Sequence, residues 1–156
     1  MDKDSSDEMI FHALSIVFPD VRAKRYIEIR MPDEVPYPYN FAGLALIKGL
    51  FYDEENLDRL YETFADMDYR SLTNLRSRSE RYGLHATYKD KEIYKWGLDF
   101  VDMAKRSLED EAHYLKPLRE ILEEEKSPRD IYESLYKKDP TEAIKVFSAN
   151  ESLRKM

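Results

Sequence analysis

The chain has 156 residues, 32 acidic against 25 basic side chains, a net charge of −7 and no cysteine. That length suits a single domain with its own core; the acidic balance argues against a nucleic acid or an anionic membrane as the main partner, and the lack of thiols excludes disulfides, thiol catalysis and thiolate zinc in this chain. No apolar run approaches the roughly 20 residues of a membrane span, and the start Met1-Asp2-Lys3-Asp4 does not read as a signal peptide, so a cytoplasmic setting is expected.

Residues 1–7 are polar and expected to be disordered, and residues 8–33 read as a helix plus a strand. Met9, Ile10, Ala13, Leu14 and Val17 recur at three- and four-residue spacing, which predicts a short amphipathic helix ending at Pro19. From Lys24 to Met31 the side chains alternate instead. Lys24, Tyr26, Glu28 and Arg30 then share one face of a strand, and Ile27, Ile29 and Met31 share the apolar face. Pro32 ends the ladder because it has no amide hydrogen to give, and Pro36 and Pro38 keep the next segment irregular. A carboxylate and a guanidinium held about 7 Å apart on one strand face suit a cleft that takes a cation beside an anion. An ordinary wet strand face has the same pattern.

The remainder, about residues 40–150, reads as helical. Phe41 to Phe51 is almost wholly apolar, with Asn40 as its expected N-cap, and a buried helix is predicted there. Asp53 opens a helix with Leu57, Leu60, Tyr61 and Phe64 on one stripe. From Asp68 to Tyr82 arginines outnumber acids, and Arg70, Asn74, Arg78 and Arg81 fall near one helical face. Arg70, Arg78 and Arg81 are therefore candidates for contact with a phosphate or with an acidic partner, against the simpler alternative of a solvated arginine face. Gly83 is placed to close that helix; His85 follows it with no second ligand at metal spacing. A long amphipathic stretch carries Ile93, Trp96, Phe100, Ala104 and Leu108 until Pro117 interrupts it. Ser127-Pro128-x-Asp130 and Asp139-Pro140-x-Glu142 each read as an N-cap, a first-turn proline and an acidic third residue.

About seven helices and one convincing strand define the expected fold class: mainly α with a minor β element. A lone strand exposes hydrogen-bonding edges that must be covered or paired. A helical domain contributing one or two strands to a sheet completed by a partner chain, or by a second copy in a homodimer, is the predicted architecture.

The stretch Phe18-Pro19-Asp20-Val21-Arg22-x-Lys24-Arg25-Tyr26-Ile27-Glu28-Ile29-Arg30-x-x-Asp33 resembles part of the plant and proteobacterial glutamate-cysteine ligases, within the carboxylate-amine ligases. Gly49-Leu50-Phe51-Tyr52-Asp53 and Gly83-Leu84-His85-Ala86-Thr87-Tyr88 follow in the same order as in the C-terminal part of those enzymes. The resemblance implies a glutamine-synthetase-like ligase fragment and ATP-dependent amide formation: the γ-carboxylate of glutamate is phosphorylated, and the amine of an acceptor such as cysteine displaces the phosphate. It further implies Mg²⁺ and ATP as cofactors, Glu28 as a metal ligand, Arg30 as a catalytic contact to glutamate or the phosphoryl group, and Tyr26 and Lys24 as lining of the substrate face. Met31-Pro32 departs from the Gly-Ala of the plant enzymes, and the larger N-terminal portion of the family has no counterpart in these residues. One subunit or fragment of such a ligase, working with a second polypeptide that carries that portion, is therefore expected. The alternative is a non-catalytic assembly module derived from the family.

Overall fold

A computed structural model describes residues 9, 10, 12, 20–23, 25–32 and 35–148. The chain groups into two units, Met1–Asp33 and Glu34–Met156. The polar start at 1–7 and Lys24 lie outside the described residues, as does most of the helix expected before Pro19; Met9, Ile10 and His12 are helical.

In the first unit β1 (Val21–Ala23) and β2 (Ile27–Ile29) form an antiparallel hairpin. The register pairs Val21 with Ile29, Arg22 with Glu28 and Ala23 with Ile27. The amide of Arg30 donates to the carbonyl of Asp20 at 2.9 Å, which carries the pairing one residue further. The single strand expected over Lys24 to Met31 is thus corrected: it is shorter, and it finds its partner in the residues just before it. Backbone amides need partners, and the nearest donors and acceptors available are local.

The apolar face also departs from expectation. Ile27 and Met31 are 73% and 61% exposed, while the side chains of Arg22 and Glu28 keep only 19% and 33% of their surface. Two three-residue strands make a ribbon too small to bury an apolar face of its own.

The second unit contains seven α-helices among its described residues. They are α1 (Tyr39–Phe51), α2 (Glu54–Phe64), α3 (Tyr69–Tyr82), α4 (Ile93–Ser107), α5 (Lys116–Glu123), α6 (Pro128–Lys138) and α7 (Pro140–Phe147). A second small hairpin, β3 (Thr87–Tyr88) with β4 (Lys91–Glu92), precedes α4. The fold is mainly helical with two small antiparallel sheets.

Helix α1 starts at Pro38 rather than at the expected Asn40, whose side chain instead accepts from the amide of Phe41. It buries Ala42, Ala45, Gly49 and Leu50 but leaves Leu44 and Phe51 exposed, so it is buried along one face only. That face lies on α4. A Cβ added to Gly49 would sit 2.6 Å from Ala104 Cβ, closer than packed atoms come, so glycine sets the approach of the two helices. The core gathers Ala45, Leu50, Val101, Ala104, Leu108, Leu115 and Leu122. On α2, Leu60 and Phe64 turn inward, whereas Leu57 and Tyr61 of the expected stripe stay exposed. Phe64 instead joins Tyr88, Trp96 and Phe100, with ring centroids 5.7 to 6.1 Å apart.

The punctuation of the chain matches its sequence signals. Asp53 and Asp68 accept from the amides of Asn56 and Ser71, capping α2 and α3. Ser127 and Asp130 form a reciprocal capping box on α6, and Asp139 accepts from the amides of Thr141 and Glu142 to cap α7. Gly83 closes α3 at φ +55°. Pro117 is an exception: α4 already ends at Ser107, and Pro117 falls in the first turn of a new helix, α5, where its missing amide hydrogen costs nothing.

Candidate functional site

Two arrangements bring candidate residues together. The first is the β1–β2 hairpin. Cross-strand pairing sets Arg22 opposite Glu28, and a guanidinium nitrogen of Arg22 lies 3.6 Å from a carboxylate oxygen of Glu28. Arg30 stands two residues along from Glu28, which places its side chain on the same side of the ribbon. Both are partly covered, while Tyr26 sits in the connection between the strands and is largely exposed. Of the four residues expected to share this face, Lys24 lies outside the described residues. Arg22 is the member that alternation within one strand did not single out. Only the hairpin register reveals it.

This face can present two guanidiniums and a carboxylate in a row. Its chemistry suits an anion such as a carboxylate or phosphoryl group, which a guanidinium grips through paired N–H donors. A metal fits less well. Magnesium takes about six oxygen ligands, whereas the described residues contain no group of three or more histidine, aspartate or glutamate side chains able to hold a metal ion. Glu28 is one carboxylate, and it already faces a cation.

The second arrangement surrounds the C-terminal end of α3. Arg78 and Arg81 line one groove of about 540 Å³ together with Ser77, Tyr82, His85, Ala86 and Thr87. The guanidinium of Arg78 donates to the hydroxyl of Thr87, held in position by the β3–β4 pairing. That hairpin turns through Lys89 and Asp90, at φ +48° and +58°, a primed turn made without glycine. The guanidinium of Arg81 lies 5.5 Å from the ring centre of Tyr82. Arg70 does not join them: it is eight residues back on the same helix, about 12 Å at 1.5 Å per residue, and it is absent from the groove lining.

His85 borders the same groove, but its Nδ1 lies 3.4 Å from Glu92 and 3.8 Å from Glu125. A hydrogen bond from Lys95 holds the Glu92 carboxyl below the usual carboxylate range, with His85 adding to the effect. The imidazole nitrogen therefore faces carboxylates. A larger neighbouring groove of about 580 Å³ shares Arg81, Tyr82 and His85 but adds Glu80, Glu125, Asp130 and Glu133, so it is acidic where the first is basic.

A mainly helical domain that carries a short hairpin bearing arginine and glutamate is the class that these observations define. The chain belongs to Glutamate-cysteine ligase family 2 (GCS2), whose model matches residues 3–146. The chloroplastic glutamate-cysteine ligase of Medicago truncatula is 29% identical over 127 residues, which cover 79% of this chain and 25% of that protein. The chloroplastic enzyme of Arabidopsis thaliana is likewise 29% identical, over 79% of this chain and 24% of its own length. Chloroplastic glutamate-cysteine ligase A of Oryza sativa subsp. indica is 28% identical, with shares of 79% and 26%. The chain thus spans about a quarter of the length of the curated relatives it matches.

Proposed function

We propose that this chain is a subunit or fragment of an ATP-dependent glutamate-cysteine ligase, or of a related carboxylate-amine ligase, and that it supplies the face bearing Glu28 and Arg30 to a site completed by a second polypeptide or by a second copy. The observation that carries the proposal is the family match over residues 3–146, which includes Glu28 on β2 and Arg30 just past its end.

In such a reaction ATP transfers its terminal phosphoryl group to the γ-carboxylate of glutamate and leaves as ADP. The acceptor amine then attacks the acyl carbon, forming the amide, and phosphate departs. Fixed positive charge at Arg30 would hold the glutamate carboxylate or the phosphoryl oxygens as charge develops there. Arg22, across the ribbon, lies 3.6 Å from the Glu28 carboxylate and would orient it. A Mg²⁺ ion at this site would take Glu28 as one oxygen ligand only if the other carboxylates came from outside this hairpin, and Tyr26 and Lys24 would be the candidates to line the approach. A cytoplasmic setting belongs to the same proposal.

A second possibility has its own observation. Ile27 and Met31 form an exposed apolar strip on the ribbon, which suits a non-catalytic module that docks onto a larger protein through this hairpin. One experiment separates the two. The chain is purified from its native source by affinity capture, and the recovered complex is assayed for ATP hydrolysis with glutamate and cysteine added singly and together. The ligase proposal predicts a co-purifying family polypeptide and hydrolysis that requires glutamate and an amine acceptor; a complex whose ATP hydrolysis ignores both substrates leaves only the docking role.

A further inference from the structure

We infer that the groove at the C-terminal end of α3 is a binding site for the phosphoryl group of a small molecule, with Arg78 and Arg81 as its ligands and the hydroxyls of Thr87 and Ser77 as auxiliary donors. The inference is independent of the ligase proposal, since it uses none of the residues of the β1–β2 hairpin.

Charge bookkeeping in the second unit carries the first step. This is an acidic protein in which several arginines find carboxylates: Arg59 pairs with Glu55, Arg76 with Glu80, Arg119 with Asp102 and Glu123, and Arg129 with Glu133. Among the described residues, no ion pair involves Arg78 or Arg81. These two stand three apart on one helix, a spacing at which like charges face each other and destabilise the helix by a few tenths of a kcal/mol. Both line a groove whose walls contain no carboxylate. An acidic chain with acids to spare leaves this concavity positive.

The donor geometry points the same way. Arg78 gives one N–H to Thr87, and a guanidinium has five, so the rest of its fork remains for a ligand. The acceptor it uses is neutral, which leaves its charge uncompensated. Anchoring by Thr87 fixes the guanidinium at the mouth of the groove and lowers the entropy lost on binding. Arg81, leaning on the ring of Tyr82, is held in a similar way. Two restrained forks and two hydroxyls offer more donors than a carboxylate's two oxygens can use, and a phosphoryl group brings three. A volume of about 540 Å³ lies within the range of small-molecule sites. His85 is left out of the ligand set because its Nδ1 already faces Glu92 and Glu125.

The test titrates the isotope-labelled full chain with inorganic phosphate, with ADP and with sodium chloride at matched ionic strength, following amide shifts by NMR. Phosphate is expected to move the amides of residues 77–87 saturably with a dissociation constant on the order of 1 mM, while chloride leaves them in place. Arg78→Gln with Arg81→Gln should weaken binding by at least roughly tenfold, the equivalent of about 1.4 kcal/mol; Arg70→Gln, on the same helix but outside the groove, should change it less than about twofold. All three substitutions fall at exposed positions, and unchanged amide spectra away from α3 would show that the fold persists. Tighter binding of ADP than of phosphate assigns the phosphoryl group to a larger molecule, and equal binding assigns it to phosphate itself; either supports the site. Unsaturable shifts, or the same loss in Arg70→Gln as in the double variant, would overturn it, because diffuse attraction to a basic helix would then explain everything.

Discussion

The hairpin of the first unit and the helical body of the second follow opposite rules of coverage. In the helical unit Val101, Ala104 and Leu115 are buried, and most charged side chains stand at the surface. In the hairpin Ile27 and Met31 lie open while Arg22 and Glu28 are the covered pair. Burial of apolar surface stabilises a fold in proportion to the area removed from water, so a ribbon arranged this way gains little from its own apolar residues. The difference teaches that the helical unit holds its shape by its own packing, whereas the hairpin leaves its apolar residues uncovered.

The contrast breaks most readily in the core. Leu115→Ala removes a large fully buried side chain and should lower the stability of the helical unit by about 2 to 5 kcal/mol in chemical denaturation. A loss under about 1 kcal/mol would mean that this core is not what holds the unit together. A smaller effect is expected at Asn56. This residue is only 5% exposed, and its amide nitrogen donates to the carbonyls of Gly49 and Met103 and to the hydroxyl of Ser107, at 2.9, 3.1 and 3.2 Å. Asn56→Ala would remove these hydrogen bonds, leaving Gly49 only its bond from the Ser107 hydroxyl, and should cost about 1 to 3 kcal/mol in the same measurement.

Asn56 also marks how far the sequence can be read. The caps at Ser127, Asp139 and Asp53 and the stop at Gly83 were legible because each depends on a few neighbouring residues and a local backbone demand. Asn56 was not: in sequence it is one more polar residue near a helix start, and only the approach of α1 and α4 gives its amide three acceptors. The start of α1 moved from Asn40 to Pro38 for a similar reason, since loop carbonyls at Pro36 and Pro38 accept from the first amides of the helix. The β3–β4 hairpin carries no such signal, because its turn uses Lys89 and Asp90, without the glycine that usually accompanies positive φ. For the candidate sites, alternation identified Glu28 and Arg30 but not Arg22, whose place depends on pairing across the ribbon. Helical spacing grouped Arg70 with Arg78 and Arg81; the groove keeps only the last two.

At the hairpin the comparison sharpens. Ile27→Ser should change the stability of the isolated chain by no more than about 0.5 kcal/mol, because so exposed a side chain buries little, yet it should weaken capture of the co-purifying polypeptide measurably. Strong destabilisation of the chain alone would show that Ile27 is covered within it. The smallest and most local effect is a pH response. The hydroxyl and amide of Ser127 hold the Asp130 carboxyl below the usual aspartate range, and the amide and hydroxyl of Ser71 do the same for Asp68. With the folded value below the unfolded one, the contribution of each cap is present above the ordinary aspartate value of about 3.9 and is lost as pH falls through the lowered folded value. Carbon chemical shifts in the first turns of α3 and α6 should therefore lose helical character on acidification before the core of α4 does. Simultaneous loss across all three helices would contradict this.

The central claim is that Glu28 and Arg30 act in ligase chemistry, and turnover of the captured complex tests it most directly. Glu28→Gln and Arg30→Lys are each predicted to leave assembly intact and to lower glutamate-dependent ATP turnover by at least roughly a hundredfold, the scale of a lost transition-state contact. Turnover equal to that of the unaltered complex, with both variants fully assembled, would contradict the claim.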